Sequence, residues 1–277
     1  MNDRREITAS RVERSRGAKK SAVLNALEAM SPRTRAWLRY LTVVGVGGIA
    51  LFSLQLLSPM VRHYVIREGG ILENLSATFH LFAVLVGGWA CYRARPEIRR
   101  RYLAIPILAL LGFYDEISDG IFMEPVLEFR GIKLTALHEW IHAGYNLWRD
   151  LETPGAQIFV LVLVAGIAGF LGVRYRARIR AAIGLLKRDT SYQLVVIGIA
   201  QAAVALVLDR ELATNRFTFY EEWLEMNMAM AMLFAAREIP ESGRPPTAIR
   251  VAFLICVPIA IGLGPVFACM FARCPVP

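Results

Sequence analysis

The sequence predicts an all-α fold, that of a polytopic integral membrane protein with about seven transmembrane helices. Of its 277 residues, 56% are hydrophobic and only 20% are charged, and the mean hydropathy is +0.43. Apolar runs of about 20 residues recur along the chain, and each is long enough to cross the roughly 30 Å hydrocarbon core of a bilayer. Basic loops alternate with acidic loops between these runs. Together these observations exclude an ordinary soluble enzyme.

The chain opens with a basic, polar tail, residues 1–36. It lacks the order of positive charge, apolar stretch and cleavage site, so we expect no cleavable signal peptide. We expect the tail to be cytoplasmic and disordered, apart from a short helix around Ala22 to Met30. A basic inner surface suits anionic membrane lipids, so we expect lipids as partners and no nucleic acid.

Residues 37–272 contain seven apolar runs, which we interpret as one membrane domain. The longest connection is an extracytoplasmic loop at about 123–153, and a short outer tail, residues 273–277, ends the chain. The predicted spans are Trp37 to Leu57, Leu72 to Tyr92, Tyr102 to Phe122, Ala156 to Val173, Gln193 to Val207, Phe217 to Ala236 and Val251 to Phe271.

Charge predicts the orientation, because cytoplasmic loops retain Lys and Arg during insertion. With the N-terminus inside, 24 of the 32 basic residues lie in the N-terminal region and in the loops Arg93 to Arg101, Arg174 to Arg188 and Arg237 to Arg250. The opposite side carries 15 of the 23 acidic residues. We therefore predict a cytoplasmic N-terminus and an extracytoplasmic C-terminus in the plasma membrane, or the inner membrane of a cell that has two.

With this topology, polar residues gather at the outer level of three spans. A carboxylate at the centre of a transmembrane helix costs roughly 2.5 to 3.5 kcal/mol, so such groups usually face a cavity, a partner or an ion. Several acids in one partly dry pocket repel one another unless protons or cations hold them. The alternative is a rim of solvated acids that complements the basic inner face. The residues are Glu73, Asn74, Ser76 and His80 in span two, Asp115, Glu116, Ser118 and Asp119 in span three, and Glu221, Glu222 and Glu225 in span six.

Residues 138–142 match the pattern H-E-x-x-H. On a helix this spacing puts His138 and His142 on one face, where they can bind Zn²⁺, with Glu139 as the general base for a metal-bound water. Apolar residues at helical spacing over 134–149 predict an amphipathic helix at the outer interface. Alternatively, both histidines only pack the loop against the spans. A third ligand would come from Glu221, Glu222 or Glu225, or else from Asp115, Glu116 or His80.

Two motifs resemble those of a family of uncharacterised bacterial multi-pass membrane proteins. Residues 67–76, REGGILENLS, resemble its E-D-G-x-x-E-x-L-T opening, and residues 114–122, YDEISDGIF, resemble its E-E-I-S-W-G-Q-R-I-F motif. A histidine-containing loop and an acidic start to a late span are also similar. Asp119 stands where that family has Trp, its Gln-Arg pair is absent, and the loop reads His-Glu instead of His-Asn. The resemblance implies a common outer-face site in which His138 is the functional histidine, and it names no reaction.

The residue types are also similar to those of the seven-span zinc hydrolases of the ceramidase and adiponectin-receptor group. That group combines Ser, Asp and His and includes an H-x-x-x-H pair in its last span, whereas here the pair precedes span four. The likeness therefore implies similar chemistry, not kinship.

Three functions remain open from the sequence. The first is a metal-dependent membrane hydrolase acting on a lipid or interfacial substrate, with Glu139, Asp115 and Glu116 as catalytic residues. The second is a transporter or cation-binding protein whose acids form an ion vestibule. The third is a non-catalytic structural or lipid-sensing protein in which these residues form a hydrogen-bond and salt-bridge network. Supporting or substrate-contacting roles would fall to Glu73, Asn74, Ser76, His80, Ser118 and Asp119.

Overall fold

The described part of the chain, in this computed structural model, consists of ten α-helices and one short hairpin. It covers residues 29–57, 59–66, 70–119, 127–129, 132–134, 153–211, 217–240, 243 and 245–271. The helices are α1 (Pro32–Gln55), α2 (Pro59–Ile66), α3 (Ile71–Arg93), α4 (Pro96–Tyr102), α5 (Ala104–Asp119), α6 (Pro154–Arg174), α7 (Arg176–Arg188), α8 (Thr190–Glu211), α9 (Thr218–Arg237) and α10 (Thr247–Phe271). The predicted helical fold is confirmed. Strands β1 (Leu127–Phe129) and β2 (Ile132–Leu134) pair antiparallel.

Several of these helices could span a membrane. Within the described residues, four stretches are long and apolar enough to do so, and Thr247–Gly262 of α10 is a shorter apolar stretch. Each of the seven predicted spans overlaps one helix, namely α1, α3, α5, α6, α8, α9 or α10. The structure therefore fits a helical membrane protein with several candidate transmembrane helices. The four apolar stretches lie in α1 (Pro32–Gln55), in α2 and α3 between Tyr64 and Arg93, in α6 (Pro154–Arg174) and in α8 (Thr190–Leu208).

The chain divides into two compact units, Met1–Gly45 and Val46–Pro277. In the first unit, Ser31 stabilises the start of α1, because its hydroxyl accepts a hydrogen bond from the backbone N–H of Thr34 at 3.1 Å. The rings of Trp37 and Tyr40 meet edge to face, with centroids 6.0 Å apart.

Helix α3 lies at the centre of the second unit and packs against α9, α5 and α10. It begins after Gly70 and ends at Arg93, shortly before Pro96, which cannot continue a helix. On its α10 side, the ring of Phe82 meets that of Phe253 edge to face at 5.1 Å. Edge-to-face aromatic pairs add to the stability that burial of the rings provides.

Small residues let the central helices approach closely. A Cβ atom at Gly87 of α3 would lie 3.3 Å from Pro106 of α5 and 3.4 Å from the Cβ of Ala236 of α9. A Cβ atom at Gly198 of α8 would lie 3.4 Å from that of Ala231 of α9. Such contacts are typical of packed membrane helices, where close approach of the backbones replaces the hydrophobic effect as the driving force.

A network of polar groups joins α4 to the junction of α7 and α8. The hydroxyl of Tyr102 donates a hydrogen bond to the Asp189 carboxylate. The same carboxylate accepts a 2.9 Å hydrogen bond from the backbone N–H of Ser191, so it also stabilises the start of α8. The hydroxyl of Tyr192 donates to the carbonyl of Arg101 at 2.7 Å.

Two segments that the sequence indicates as loops are helical. Helix α4 occupies most of the loop 93–101, and α7 occupies the loop 174–188. Both segments are rich in arginine, so a search for long apolar runs does not detect them. A short helix with many charged residues has no such run. Helix α5, which overlaps the third predicted span, begins later than predicted, at Ala104, after a break at Leu103. The basic tail ends earlier than expected, because α1 starts at Pro32.

Candidate functional site

Three helices bring the predicted polar residues together. The first turns of α3 carry Glu73, Ser76 and His80, and the last turns of α5 carry Asp115 and Glu116. Because α3 and α5 pack together, the start of the first lies beside the end of the second. The first turns of α9, which packs on both helices, contribute Glu221, Glu222 and Glu225.

The closest link between two of these helices is a hydrogen bond from Ser76 to Glu116. The Ser76 hydroxyl donates to Oε1 of Glu116 at 2.5 Å. This distance is at the short end of the range for a hydrogen bond between two oxygen atoms. Ser76 is only 1% exposed, and Glu116 is half-buried. The bond therefore fixes the Glu116 carboxylate between α3 and α5, away from bulk water.

The carboxylates interact across all three helices. Glu116 interacts electrostatically with Glu225, Glu73 and Asp115. Glu222, which is also half-buried, interacts with Glu225, Glu73, Glu116 and Glu221. Like charges this close repel one another, so the site favours a bound cation or proton. These six residues are called the acidic cluster below: Glu73, Asp115, Glu116, Glu221, Glu222 and Glu225.

His80 lies beside the acidic cluster, and its surroundings are unusual. It is 1% exposed, and neither ring nitrogen has a hydrogen-bond partner among the described residues. The imidazole packs directly on the backbone of α5, where a Cβ atom at Gly112 would lie 2.6 Å from Nε2. It also interacts electrostatically with Asp115. A buried polar group without a partner costs free energy, which marks His80 as a candidate for ligand binding.

Asn74 has a structural task. Its side-chain amide donates a 2.7 Å hydrogen bond to the carbonyl of Gly70 at the start of α3. The backbone carbonyl of Asn74 accepts a 2.7 Å hydrogen bond from the hydroxyl of Thr78, one helical turn later. Asn74 therefore stabilises the helix end that carries Glu73 and Ser76.

The H-E-x-x-H segment lies outside the described residues, so the roles predicted for His138, Glu139 and His142 stay predictions. The interfacial helix predicted over 134–149 lies almost entirely outside them too, as do the side chains of Ser118 and Asp119. Within the described ranges, no group of three His, Cys, Asp or Glu side chains has an arrangement that could hold a metal ion. The acidic cluster could therefore hold a metal only with ligands from elsewhere in the chain.

Two residues of interest have no role in the sequence-based prediction. Gly112 allows the close contact of His80 with α5. Asn227, two residues after Glu225, is fully buried, and neither polar atom of its amide has a hydrogen-bond partner within the described part of the chain. An Asn inside an otherwise apolar stretch of a predicted span is itself a signal, because buried amides in membranes usually serve packing or function.

Comparison with known proteins adds no relative. The chain matches no known family model, no curated protein and no solved structure. The resemblance to the bacterial multi-pass family therefore stays a prediction, and the arguments about function rest on the site itself.

Proposed function

We propose that the chain is a seven-span protein of the plasma or inner membrane, with its N-terminus in the cytoplasm and its C-terminus outside. The proposal is supported by the overlap of every predicted span with a helix and by the alternation of basic and acidic connections. In this topology the acidic cluster lies at the extracytoplasmic side. We further propose that the chain belongs to the bacterial family of multi-pass membrane proteins with the E-E-I-S-W-G-Q-R-like motif.

The function that the site supports best is metal-dependent hydrolysis of a lipid or another interfacial substrate. The observation that carries this proposal is the acidic cluster itself, held half-buried by the Ser76–Glu116 bond at the end of α5. The loop with the H-E-x-x-H segment follows α5 directly in the chain. Carboxylates and imidazoles are the ligands that zinc takes in catalytic sites.

The roles follow from the residue types. His138 and His142 would hold the metal, and Glu221, Glu222 or Glu225 would complete its ligands. The chemistry that a zinc ion would supply there is activation of a water for attack at neutral pH. Glu139 would act as the general base, while Asp115 and Glu116 would keep the pocket polar and position the substrate. Ser76 holds Glu116 in place through its hydroxyl.

Metal content tests this function. Full-length protein, purified in detergent with its affinity tag removed, is measured by inductively coupled plasma mass spectrometry. We expect about one zinc or similar ion per chain in the wild type, loss of the ion in His138→Ala, and reduced content in Glu222→Gln. The matched control Glu97→Gln changes an exposed acid of α4 and should keep the ion. Full metal content in His138→Ala would reject the assignment.

Cation transport is the second candidate, favoured by acids from three packed helices beside a buried histidine without a partner among the described residues. Carboxylates and histidines in a row are typical of proton and cation pathways in membranes. Ion-dependent uptake into proteoliposomes that is lost in Glu73→Gln would favour this function over hydrolysis. A metal-free protein that transports no cation would exclude both.

A structural network is the third candidate, and the Ser76–Glu116 bond favours it because it joins two helices. In that case the cluster stabilises the fold and binds no ligand. Removing one partner of a buried network is destabilising. If Glu116→Gln leaves the thermal stability in detergent unchanged, the cluster is not a structural network.

A further inference from the structure

Helix α7 combines a basic and an apolar face, although it lies in a segment that sequence patterns indicate as a loop. Residues 174–188 contain six Lys or Arg and no acid. Arg176, Arg180 and Lys187 are separated by four and seven residues, so they share one face of the helix. All three are exposed.

The apolar face lies next to the basic one. Ile179 and Ile183 follow each other at a spacing of four residues, and they are 44% and 47% exposed. Neither side chain is buried against another helix, so both are available to an apolar phase outside the protein. A basic face beside an exposed apolar face is typical of helices that lie in the membrane interface.

The position of α7 in the chain fits that interface. It follows α6 after a single residue, Tyr175, and no residue of α6 is buried. The other end of α7 is tied to α8, because the side-chain amide of Gln193 donates a 2.8 Å hydrogen bond to the carbonyl of Leu186. Both α6 and most of α8 are long and apolar enough to cross a membrane. The 13 residues of α7 cover only about 20 Å, so they stay close to the surface where the two spans end.

We propose that α7 is a binding surface for the anionic headgroups of membrane lipids. Its arginines and lysine contact the phosphates, and Ile179 and Ile183 enter the upper part of the acyl chains. Clusters of four to eight basic residues next to a membrane span attract anionic lipids, and each such residue strengthens the attraction about fivefold. The inference needs α6 and α8 to span the membrane, and it is independent of the chemistry at the acidic cluster.

The experiment compares two variants of equal charge. In the first, Arg176→Gln, Arg180→Gln and Lys187→Gln are combined. In the control, Arg39→Gln, Arg100→Gln and Arg237→Gln remove three exposed arginines of other helices. Binding of phosphatidylglycerol and of phosphatidylcholine to full-length protein in neutral detergent is measured by native mass spectrometry and by titration, at low and high salt.

We expect the wild type to prefer phosphatidylglycerol and the α7 variant to bind it at least tenfold more weakly, while the control stays within about threefold of the wild type. High salt should weaken the preference, because it screens exposed charges. An unchanged affinity in the α7 variant, or an equal loss in the control, would overturn the proposal. So would full competition by glycerol phosphate or by duplex DNA, since a free phosphate or nucleic-acid site would then explain the basic face.

A third variant covers the case in which the triple substitution disturbs folding. Replacing Arg176 and Arg180 by lysine keeps the charge and should retain most of the phosphatidylglycerol binding. This lysine variant could lose binding as completely as the glutamine variant although its thermal unfolding matches that of the wild type. In that case, attraction between the positive charges of α7 and anionic lipid headgroups is not the mechanism.

Discussion

The contact between Ser76 and Glu116 defines the candidate site at the scale of single residues. It joins α3 to α5 and holds one carboxylate of the acidic cluster in a half-buried position. Hydrogen bonds between membrane helices contribute about 0.6 kcal/mol on average and seldom more than about 1.7 kcal/mol. The bond therefore positions the carboxylate more than it stabilises the fold.

Replacing Ser76 by Ala should lower the free energy of unfolding by about 1 kcal/mol, because Glu116 loses a buried hydrogen-bond donor. Ser53→Ala is the matched control, since that hydroxyl donates only to the carbonyl of Ile49 in its own helix. Unfolding in a graded series of denaturing detergent measures both. An equal effect of the two substitutions would mean that the bond to Glu116 has no particular weight.

The second prediction concerns the close contact between Gly112 and His80. Gly112→Ala should destabilise the protein by about 1 to 3 kcal/mol, because the added methyl group overlaps the imidazole and overpacks the interface. Gly88→Ala on α3 is the control, since a Cβ atom there meets no atom of the described residues within 4 Å.

Adding His80→Ala to Gly112→Ala tests the cause. If the ring is the obstacle, the double variant is more stable than the sum of the two single effects predicts. Additive effects would show that the damage at Gly112 lies elsewhere. The measurement is the same detergent unfolding series.

The sequence predicts which residues belong to this site, but it does not predict which of their side chains are in contact. Helical spacing places Glu73, Ser76 and His80 on one face, and the topology brings the acids of three spans to one level. Which acid meets which hydroxyl depends on the rotation of each helix about its axis. Packing of small residues such as Gly87 decides that rotation, and the apolar pattern of a span that is hydrophobic on all sides does not reveal it.

At the scale of elements, long apolar runs in the sequence predict the long helices. The short, highly charged helices α4 and α7 have no such run and are not predicted. The run at 156–173 coincides with α6 to within a few residues, because Thr153 and Pro154 are favourable at a helix start. Helices α4 and α7 lie in arginine-rich stretches, where hydropathy is low although the residues favour a helix.

The junction of α4, α7 and α8 provides the third prediction. Tyr102→Phe removes the hydroxyl that donates to Asp189 and should lower the free energy of unfolding by about 1 to 2 kcal/mol, because the carboxylate loses a buried donor. Tyr92→Phe is the control, since Tyr92 is 73% exposed on α3. Equal unfolding midpoints for the two variants would contradict a stabilising role of this network.

At the scale of the whole molecule, the distribution of charge is the strongest constraint on topology. We predict that the connections around residues 98, 182 and 242 lie in the cytoplasm and those around residues 65, 135 and 214 outside. Fusions of alkaline phosphatase and of green fluorescent protein at these points measure the side, because the first is active only outside and the second fluoresces only inside. Two neighbouring connections on the same side would refute a seven-span path.

Helix α6 has a consequence for how the sequence can change over time. None of its 21 residues is buried, so within the described part of the chain no neighbour of fixed shape selects one side chain over another of similar polarity. Substitution among Leu, Ile, Val, Phe and Ala should be close to neutral along its length, whereas α3 and α9 should tolerate few such exchanges. Related chains, aligned to this one, should therefore vary most in identity and least in length between Pro154 and Arg174.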